Sequence, residues 1–261
     1  KGTIQALFLA GTNPLVGFPE NARWRKALTK LDLLVVQDIL SSELTKLATV
    51  VLPGADGAEK RGSVTALDQR VNKLRIAVAA PGAARPDLAI LNELLAKLTG
   101  RPEASENAIS LEMMELSGDY ADVCQNLEQR SFCWKQPYTP ENQSLVAATP
   151  ELAKPTAVDM QLLVSKCPFQ FGSTTTYSAA NNELAPTGLI IINPEDADKL
   201  GVTEGGQLKV TGPAGSAQGK VMINQMVPVG LLTASDNFPE MNIQQIMPSG
   251  SNCVAVTAAK A

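Results

Sequence analysis

The sequence contains no histidine, and this absence narrows the chemistry that its 261 residues can perform. Histidine is the commonest general base and the commonest metal ligand in proteins. A Ser/His/Asp or Cys/His nucleophile system therefore cannot be assembled within this chain.

Cysteine is scarce as well, and its spacing carries no metal signature. The gaps between successive cysteines are 9, 34 and 86 residues, for Cys124, Cys133, Cys167 and Cys253. No pair forms C-x-x-C, and no spacing matches a zinc or ferredoxin motif. Ordinary reduced thiols are the expectation, because disulfides are rare in cytosolic proteins. A bridge between Cys124 and Cys133 is left open by the sequence.

Charge and hydropathy exclude two further classes of partner. The net charge is −4, whereas a nucleic-acid-binding domain would carry a basic surface. No apolar run reaches the roughly 18–20 residues that cross a bilayer, and the first residues show no signal-peptide pattern. With 44% apolar and 18% charged residues, the chain is suited to bury the core of one or two domains.

Residues 1–53 have the pattern of a parallel α/β sheet. The predicted elements are strand Ile4–Ala10, helix Glu20–Leu31, strand Leu33–Gln37, a short helix capped by Ser41 or Ser42, and strand Thr49–Leu52. Apolar strands that alternate with helices indicate a parallel sheet covered on both faces. Ligands of such sheets bind at the carboxyl ends of strands, where Asn13 and Asp38 lie. A turn at Asn13 and a helix cap at Asp38 are the competing interpretations.

The middle of the chain predicts helices and an irregular connector. Asp87 is expected to cap a helix that ends at Gly100, with Leu88, Leu91, Leu95 and Leu98 at helical spacing. These leucines indicate packing in a core or an interface. Asn107 is the predicted cap of a second helix. Residues 137–155 contain four prolines, which favours a connector and a domain boundary there.

The last hundred residues predict short strands around one capped helix. Ile190–Ile192 forms a β-branched strand, Asn193 caps the helix, Pro194 occupies its first position and Gly201 ends it. Further strands are expected at Met160–Ser165, Gln207–Thr211, Ser216–Asn224, Leu231–Ala234 and Val254–Thr257, with an exposed loop at Gly172–Asn182. The pattern indicates a small closed β-barrel with the helix as its plug.

This barrel region resembles the C-terminal, nucleotide-binding domain of the molybdopterin oxidoreductase superfamily, in the run IINPEDADKLGVTEGGQLKVTGPAG. The first part of the chain is similar to the family's preceding domain, in GTNP and in VVQDILSSELTKLATVVLPGADGAEKRGS. The resemblance implies an α/β parallel-sheet remnant followed by an all-β double-psi barrel, a mixed α/β chain of two domains. The expected divisions are a molybdopterin-oxidoreductase-type domain at residues 1–100, a helical and irregular connector at 101–156, and the barrel at 157–261.

The resemblance also implies cofactor contacts. In family members the first part holds a guanine nucleotide arm of the molybdopterin cofactor, and the residues that match are Asn13, Asp38 and Thr45. In the barrel, Asn242 of MNIQQIMP matches an asparagine that touches the cofactor. The loop equivalent to Gly172–Asn182 approaches the pterin in relatives.

Two departures from the family pattern weaken the case for a bound cofactor. Glu59–Ser63 matches the family's Glu-x-x-Gly-Thr signature, but the asparagine that usually follows it is absent from Val64–Val71. Leu88 stands where many relatives have tryptophan. The family's metal ligand and iron–sulfur cysteines lie N-terminal to the matched region, so no catalytic residue and no metal ligand is assigned here. Because the chain opens directly on a strand, it is expected to be a fragment of a longer polypeptide.

Three functions follow from this resemblance. The favoured one is the C-terminal scaffold of the large iron–sulfur subunit of bacterial NADH–quinone oxidoreductase (complex I), without molybdopterin and with iron–sulfur clusters only N-terminal to this region. An alternative is the C-terminal half of a formate dehydrogenase alpha subunit that binds molybdopterin guanine dinucleotide. The third is a non-catalytic double-psi barrel used as an interaction module.

The partners implied by the resemblance are other subunits of a respiratory or dehydrogenase complex, with no nucleic acid and no direct membrane span. The implied location is the cytoplasm, at the inner face of the cell membrane through partner subunits.

Overall fold

Residues 2–117, 120, 123, 132–134, 160–170 and 172–261 are described in the computed structural model of the chain. The chain divides into two units. One comprises Lys1–Leu34, Ser42–Thr49 and Glu151–Ala261, and the other comprises Val35–Ser41 and Val50–Pro150.

The first 53 residues contain the predicted strands and helices with altered ends, together with one short helix, Pro14–Gly17, that the sequence analysis did not predict. They are β1 (Ala6–Ala10), α1 (Pro14–Gly17), α2 (Asn21–Leu28), β2 (Leu33–Asp38), α3 (Glu43–Leu47) and β3 (Val50–Pro53). Strands β2 and β3 pair in parallel, with Asp38 opposite Pro53. Helix α2 ends at Leu28, three residues before the predicted end. There, Lys30 and Leu31 donate to carbonyls only three residues back, which closes the last turn tightly.

The second unit contains a hairpin that the sequence analysis did not predict. Strands β4 (Gly62–Thr65) and β5 (Arg70–Leu74) are antiparallel, and β5 also pairs with β6 (Phe132–Trp134). The turn places Gln69 at a φ of 67°, a conformation that no simple residue pattern marks.

Two longer helices follow the hairpin, α4 (Asp87–Thr99) and α5 (Glu106–Leu116). Both predicted caps are wrong. Asp87 is the first helical residue of α4, after Pro86, and Ser105 rather than Asn107 caps α5 by accepting from the Ala108 amide at 3.1 Å. Gly100 ends α4 in the left-handed conformation, as predicted.

The last part of the first unit is a closed six-stranded barrel. Its strands are β7 (Met160–Ser165), β8 (Leu189–Ile192), β9 (Gln207–Gly212), β10 (Gly215–Ile223), β11 (Leu231–Ser235) and β12 (Cys253–Lys260). They close in the order β10-β8-β11-β7-β12-β9. The pairs β10–β8 and β11–β7 are parallel, whereas the other pairs are antiparallel. The predicted mixed α/β chain with a double-psi barrel is confirmed.

Alternating side chains of the strands fill the barrel. Leu162, Ile190, Ile192, Leu208 and Leu232 are completely buried in one hydrophobic core. Gly219 lies so close to this core that a Cβ atom would stand 2.7 Å from the sulfur of Met241. The absence of a side chain at this strand position therefore permits the dense packing of the interior.

Two short helices belong to this region, α6 (Ala179–Leu184) and α7 (Pro194–Leu200). Helix α7 is the predicted plug: Asn193 caps it, Gly201 ends it at a φ of 64°, and Ala197 is part of the barrel core. The loop predicted at Gly172–Asn182 is wrong, because Ser173–Tyr177 forms a 3-10 helix that leads into α6. Its Ser, Thr and Asn residues cap these turns instead of leaving them open.

Candidate functional site

Asn13 and Thr45, two of the residues with implied cofactor roles, are linked through Ser42. The Asn13 Oδ1 caps α1 by accepting from the Leu15 amide at 3.0 Å, and its Nδ2 donates to the Ser42 hydroxyl at 3.3 Å. Ser42 caps α3 together with Thr45, whose hydroxyl accepts from the Ser42 amide and donates to the Ser42 carbonyl, each at 2.8 Å. The polar atoms of Asn13 and Thr45 are therefore engaged within the chain.

Asn242 is joined to the same neighbourhood by a buried asparagine, Asn21. The Nδ2 of Asn21 donates to the Leu15 carbonyl at 3.0 Å and, through a short bond, to the Asn242 Oδ1. The Nδ2 of Asn242 donates to Gln245 at 3.1 Å. Both polar ends of Asn242 are thus occupied, while the Oδ1 of Asn21 is buried without a partner among the described residues.

These bonds connect residues far apart in the sequence into one set, which we call the amide cluster: Asn13, Asn21, Ser42, Thr45, Asn242 and Gln245. All six belong to the first unit. A backbone bond of 3.0 Å from the Glu20 amide to the Gln244 carbonyl runs beside the bond between Asn21 and Asn242. The start of α2 is therefore held against the segment that precedes β12.

Asp38, the fourth predicted residue, belongs to the second unit. Its Oδ1 accepts from the Ile39 amide at 2.7 Å, and its carbonyl accepts from Gly54 at 3.0 Å. Its Oδ2 accepts no hydrogen bond from the described part of the chain. The half-buried carboxylate at the end of β2 therefore keeps one oxygen atom that accepts no bond from the described residues.

The residue before it, Gln37, belongs to a polar contact that the sequence analysis missed. Its Nε2 donates to Asp87 Oδ1 at 2.6 Å, and Lys60 donates to Asp87 Oδ2. The Oε1 of Gln37 is buried and lacks a partner among the described residues. Asp87 therefore ties the first turn of α4 to the carboxyl end of β2.

The segment expected to approach the pterin, Gly172–Asn182, also uses its polar groups locally. The Thr175 hydroxyl donates to the Gly172 carbonyl at 2.6 Å, and the Asn182 Nδ2 donates to Thr176 at 2.9 Å. The Asn182 Oδ1 accepts from the buried Gln170 at 2.7 Å. These bonds give the Thr175 hydroxyl and the Asn182 amide partners within the chain.

The two arginines of α2 are paired with carboxylates. Arg25 reaches Glu43 at the start of α3 with two bonds, of 2.5 and 2.8 Å, and Arg23 pairs with Glu20. The hydrogen bond from Arg25 lowers the pKa of Glu43, and the same bond raises the pKa of Arg25. These guanidinium groups are already neutralised by acids of the same chain, so they do not form an open phosphate site.

The amide cluster can be tested against the chemistry of a guanine dinucleotide. Such a ligand needs free donors and acceptors for its base, and donors or cations for its pyrophosphate. The internal bonds of Asn13, Thr45 and Asn242 leave only the second N–H of each asparagine and the remaining oxygen lone pairs for a ligand, and the arginines of α2 are paired. The residues of this cluster fit the group poorly as they stand, because they supply no cation for the pyrophosphate and few unused N–H groups for the base. Asp38 keeps a carboxylate oxygen without a partner in the described part of the chain.

No group of three or more His, Cys, Asp or Glu side chains among the described residues is arranged to hold a metal ion. No helix within the described ranges combines the length and the apolar character that crossing a bilayer requires. Cys167 and Cys253 are free thiols, whereas Cys124, which the sequence left as a possible partner of Cys133, lies outside the described residues.

The chain is similar to known proteins in sequence and in fold. A family model for molybdopterin oxidoreductase matches residues 1–97, and a model for the molydopterin dinucleotide binding domain matches residues 161–261. The chain belongs to the molybdopterin oxidoreductase superfamily. It is similar in fold to acetylene hydratase from Pelobacter acetylenicus, with a TM-score of 0.71 over 98% of this chain and 44% of that one, at 16% identity.

The chain is also similar in sequence to oxidoreductase subunits that are longer than the chain itself. The chain is 37% identical to the NADPH-Fe(3+) oxidoreductase subunit alpha of Geobacter sulfurreducens, over 100% of this chain and 30% of the relative. It is 28% identical to an NADH-quinone oxidoreductase subunit of Rhizobium meliloti, over 96% of this chain and 29% of the relative. It is 30% identical to the F420-dependent formate dehydrogenase 2 subunit alpha of Methanococcus maripaludis, over 98% and 41%. The chain thus spans less than half the length of each relative.

Sequence reasoning missed Asn21 and Gln37 for different reasons. Asn21 bonds to Asn242, 221 residues away, so no local pattern could mark it. Gln37 is a polar residue at the end of the apolar strand LLVVQD, so its position was visible in the sequence. The sequence analysis considered a binding role only for the next residue, Asp38. Ser42 was considered as a cap, and its contact with Asn13 depends on tertiary structure.

Proposed function

We propose that this chain is the C-terminal region of the large subunit of an electron-transfer oxidoreductase, and that it serves as a scaffold without bound molybdopterin. The relatives named for NADPH and NADH favour a pyridine nucleotide as the electron donor of the parent enzyme. In this proposal the iron–sulfur clusters belong to other parts of the parent. The partners of this region are further subunits of a cytoplasmic complex, which reaches the inner face of the membrane through them.

One observation carries the proposal: both polar ends of Asn13 and Asn242, together with the hydroxyl of Thr45, are used in hydrogen bonds of the chain itself. A ligand that bound there would have only the second N–H of each asparagine and the remaining oxygen lone pairs unless it replaced these bonds, and a polar group left unpaired by such a replacement costs about 1–3 kcal/mol where it is buried. The amide cluster therefore stabilises the fold where cofactor-bearing relatives are expected to contact a nucleotide.

A second candidate function is supported by Asp38. Its open Oδ2 is an acceptor that the N–H groups of a guanine edge would satisfy. This favours the C-terminal half of a formate-dehydrogenase-like enzyme, in line with the relative from Methanococcus maripaludis. In that case Asn13, Asp38, Thr45 and Asn242 would be the residues nearest the cofactor. The interaction-module alternative gains no support, because the molybdopterin oxidoreductase model matches residues 1–97 beside the barrel.

Elemental analysis of the full-length parent protein separates the two candidates. We expect neither molybdenum nor tungsten in stoichiometric amount, and no guanine released on denaturation. A molybdopterin guanine dinucleotide enzyme purified in parallel provides the positive control. One metal ion with two guanines per subunit would overturn the scaffold proposal and establish the second candidate.

A binding measurement on the 261-residue chain tests the same point independently. GMP and GDP are titrated against the wild type, against Asp38→Ala, and against Asp56→Ala as a matched surface control. We expect no binding in the micromolar range. Micromolar affinity that Asp38→Ala abolishes and Asp56→Ala preserves would contradict the proposal.

A further inference from the structure

Helix α4 exposes a stripe of leucines to solvent. Leu88, Leu91, Leu95 and Leu98 follow one another at intervals of three, four and three residues, the spacing of one apolar seam along a helix. Leu91, Leu95 and Leu98 are 47%, 45% and 82% exposed. We call these three residues the leucine stripe.

The orientation of α4 is fixed, so the stripe cannot turn inward. Ile90 is buried, and the buried Asn92 donates to the Ala104 carbonyl at 2.7 Å and accepts from the Ala104 amide at 3.3 Å. At the first turn, Asp87 holds Gln37 and Lys60. Rotating the helix to bury the leucines would break both sets of contacts.

The charges of α4 are satisfied beside the stripe. Glu93 pairs with Arg85 at 2.6 Å and with Lys97 at 2.8 Å. A solvent-facing helix would ordinarily continue such polar residues over its outer face. On α4 the paired ions border apolar side chains instead, which is the composition of an interface with an apolar centre and a polar rim.

We propose that the leucine stripe is covered, in the parent subunit, by an apolar segment of the same polypeptide that lies outside these 261 residues. The proposal rests on the proposed function only in taking the chain as part of a longer subunit. That longer subunit provides the occupant, since the chain spans 30% of its relative from Geobacter sulfurreducens.

The small area of the leucine stripe favours a segment of the same polypeptide over a separate chain as its occupant. The exposed parts of the three leucines add up to less than two whole leucine residues. A stable association between separate chains buries about 800 Å² on each partner. A second copy of this chain, or a separate subunit, would need much more surface than the stripe offers. A segment of the same polypeptide needs less, because it does not lose the translational and rotational freedom of an independent partner.

Thiol labelling measures the coverage directly. Leu98→Cys is introduced into the 261-residue chain and into the full-length parent, with Lys97→Cys as the matched control on the same helical turn. Maleimide reaction at each position is followed by peptide mass mapping, which separates the introduced thiol from the native cysteines. In the 261-residue chain both thiols should react at similar rates. In the parent, the thiol of Leu98→Cys should react at least about tenfold more slowly, while that of Lys97→Cys remains reactive.

Three outcomes would overturn the proposal. Equal reactivity of the two thiols in the parent would show that the stripe is uncovered. Protection of Leu98→Cys that appears only after a separate subunit is added would identify a different occupant. Protection in the 261-residue chain that grows with concentration, alongside dimerisation in light scattering, would identify a second copy.

Footprinting keeps the test valid if the cysteine variants fail to fold. Carbene labelling of wild-type residues 88–99 should fall from the 261-residue chain to the parent, and unchanged labelling would contradict the proposal. Metal and guanine analysis of the same parent preparation tests the scaffold function separately, so that either proposal can fail alone.

Discussion

At the scale of single residues, Asn21 decides how the N-terminal segment meets the barrel region. It is fully buried, and its one amide nitrogen serves both the Leu15 carbonyl and the Asn242 Oδ1. Buried amides of this kind stabilise a fold mainly because their loss leaves partners unpaired. The unpaired Oδ1 of Asn21 shows that the arrangement satisfies the donor of this side chain but not its acceptor.

A double-mutant cycle measures the link between Asn21 and Asn242. Asn21→Ala should lower the free energy of unfolding by about 1–3 kcal/mol. Asn242→Gly is the better partner variant, because Asn242 has a φ of 48° that glycine adopts without strain. The two changes should be non-additive by about 1 kcal/mol in urea unfolding.

The control cycle combines Asn21→Ala with Asn182→Ala, since Asn182 bonds to Gln170 and Thr176 and shares no partner with Asn21. This pair should be additive. Additivity of Asn21→Ala with Asn242→Gly would show that the bond contributes nothing.

Glu93 is the residue with the largest resolved pKa shift among the described groups. Its hydrogen bonds to Lys97 and Arg85 lower its pKa from 4.5 to about 2. Because the folded pKa lies below the unfolded one, the carboxylate contributes stability above pH 4.5 and loses it as the pH falls toward 2. NMR titration should find this depressed pKa in the wild type.

The variants Lys97→Ala and Lys97→Arg separate the causes of this shift. Lys97→Ala should move the pKa of Glu93 upward, because the largest cause of the shift is removed, whereas Lys97→Arg keeps a donor and should hold it low. A wild-type Glu93 that titrates near 4.5 would refute the assigned contacts.

At the scale of elements, α7 does more than close one end of the barrel. The sequence places two acids, Glu195 and Asp196, in the first turn of α7, where negative charge complements the helix dipole. Of these two, only Glu195 is exposed to solvent. Asp196 is buried, accepts from the Gly230 amide at 2.6 Å and pairs with Lys199 at 3.3 Å. It therefore fastens the helix to the turn before β11.

The neighbouring acids of α7 form a matched pair for mutation. Asp196→Ala should lower the free energy of unfolding by about 2 kcal/mol, because it leaves the Gly230 amide unpaired. Glu195→Ala, one residue earlier and exposed, should change it by less than about 0.5 kcal/mol. Chemical denaturation of both variants checks the difference, and equal losses would mean that the bond to Gly230 is unimportant.

At the scale of the whole molecule, the barrel contains all its strands within residues 160–261. Its six strands close on themselves, so no strand edge depends on another part of the chain. The buried core of this region is drawn entirely from the same residues. A closed sheet with its own core is the condition for independent folding.

Residues 157–261 expressed alone should therefore fold. Circular dichroism should show a β-rich spectrum, and urea should give one cooperative transition. The fragment is expected to be less stable than the full chain, because the bonds from Glu20 and Asn21 are lost. A broad melt with strong ANS binding would indicate a molten globule and contradict the prediction.

The parts of the site that were predictable are those with local causes. Asn13 and Asp38 could be placed at strand ends, since the apolar strands before them are evident in the sequence. Their use could not be predicted, because the partner of Asn13 is Ser42, which depends on the packing of two helices. The hairpin of β4 and β5 was missed because its turn lacks the Asn-Gly or Asp-Gly pattern that marks most short turns.

By itself, the sequence determined the superfamily, the mixed α/β class, and the ends of α7 at Asn193 and Gly201. Caps and alternating strands depend on neighbours a few residues away, so their patterns are legible in one dimension. Tertiary structure alone decided that Asn21 meets Asn242, that Asp196 holds a distant turn, and that Leu98 faces outward. These outcomes depend on which surfaces meet when the chain folds, and periodicity alone does not distinguish a leucine in a core from one at an interface.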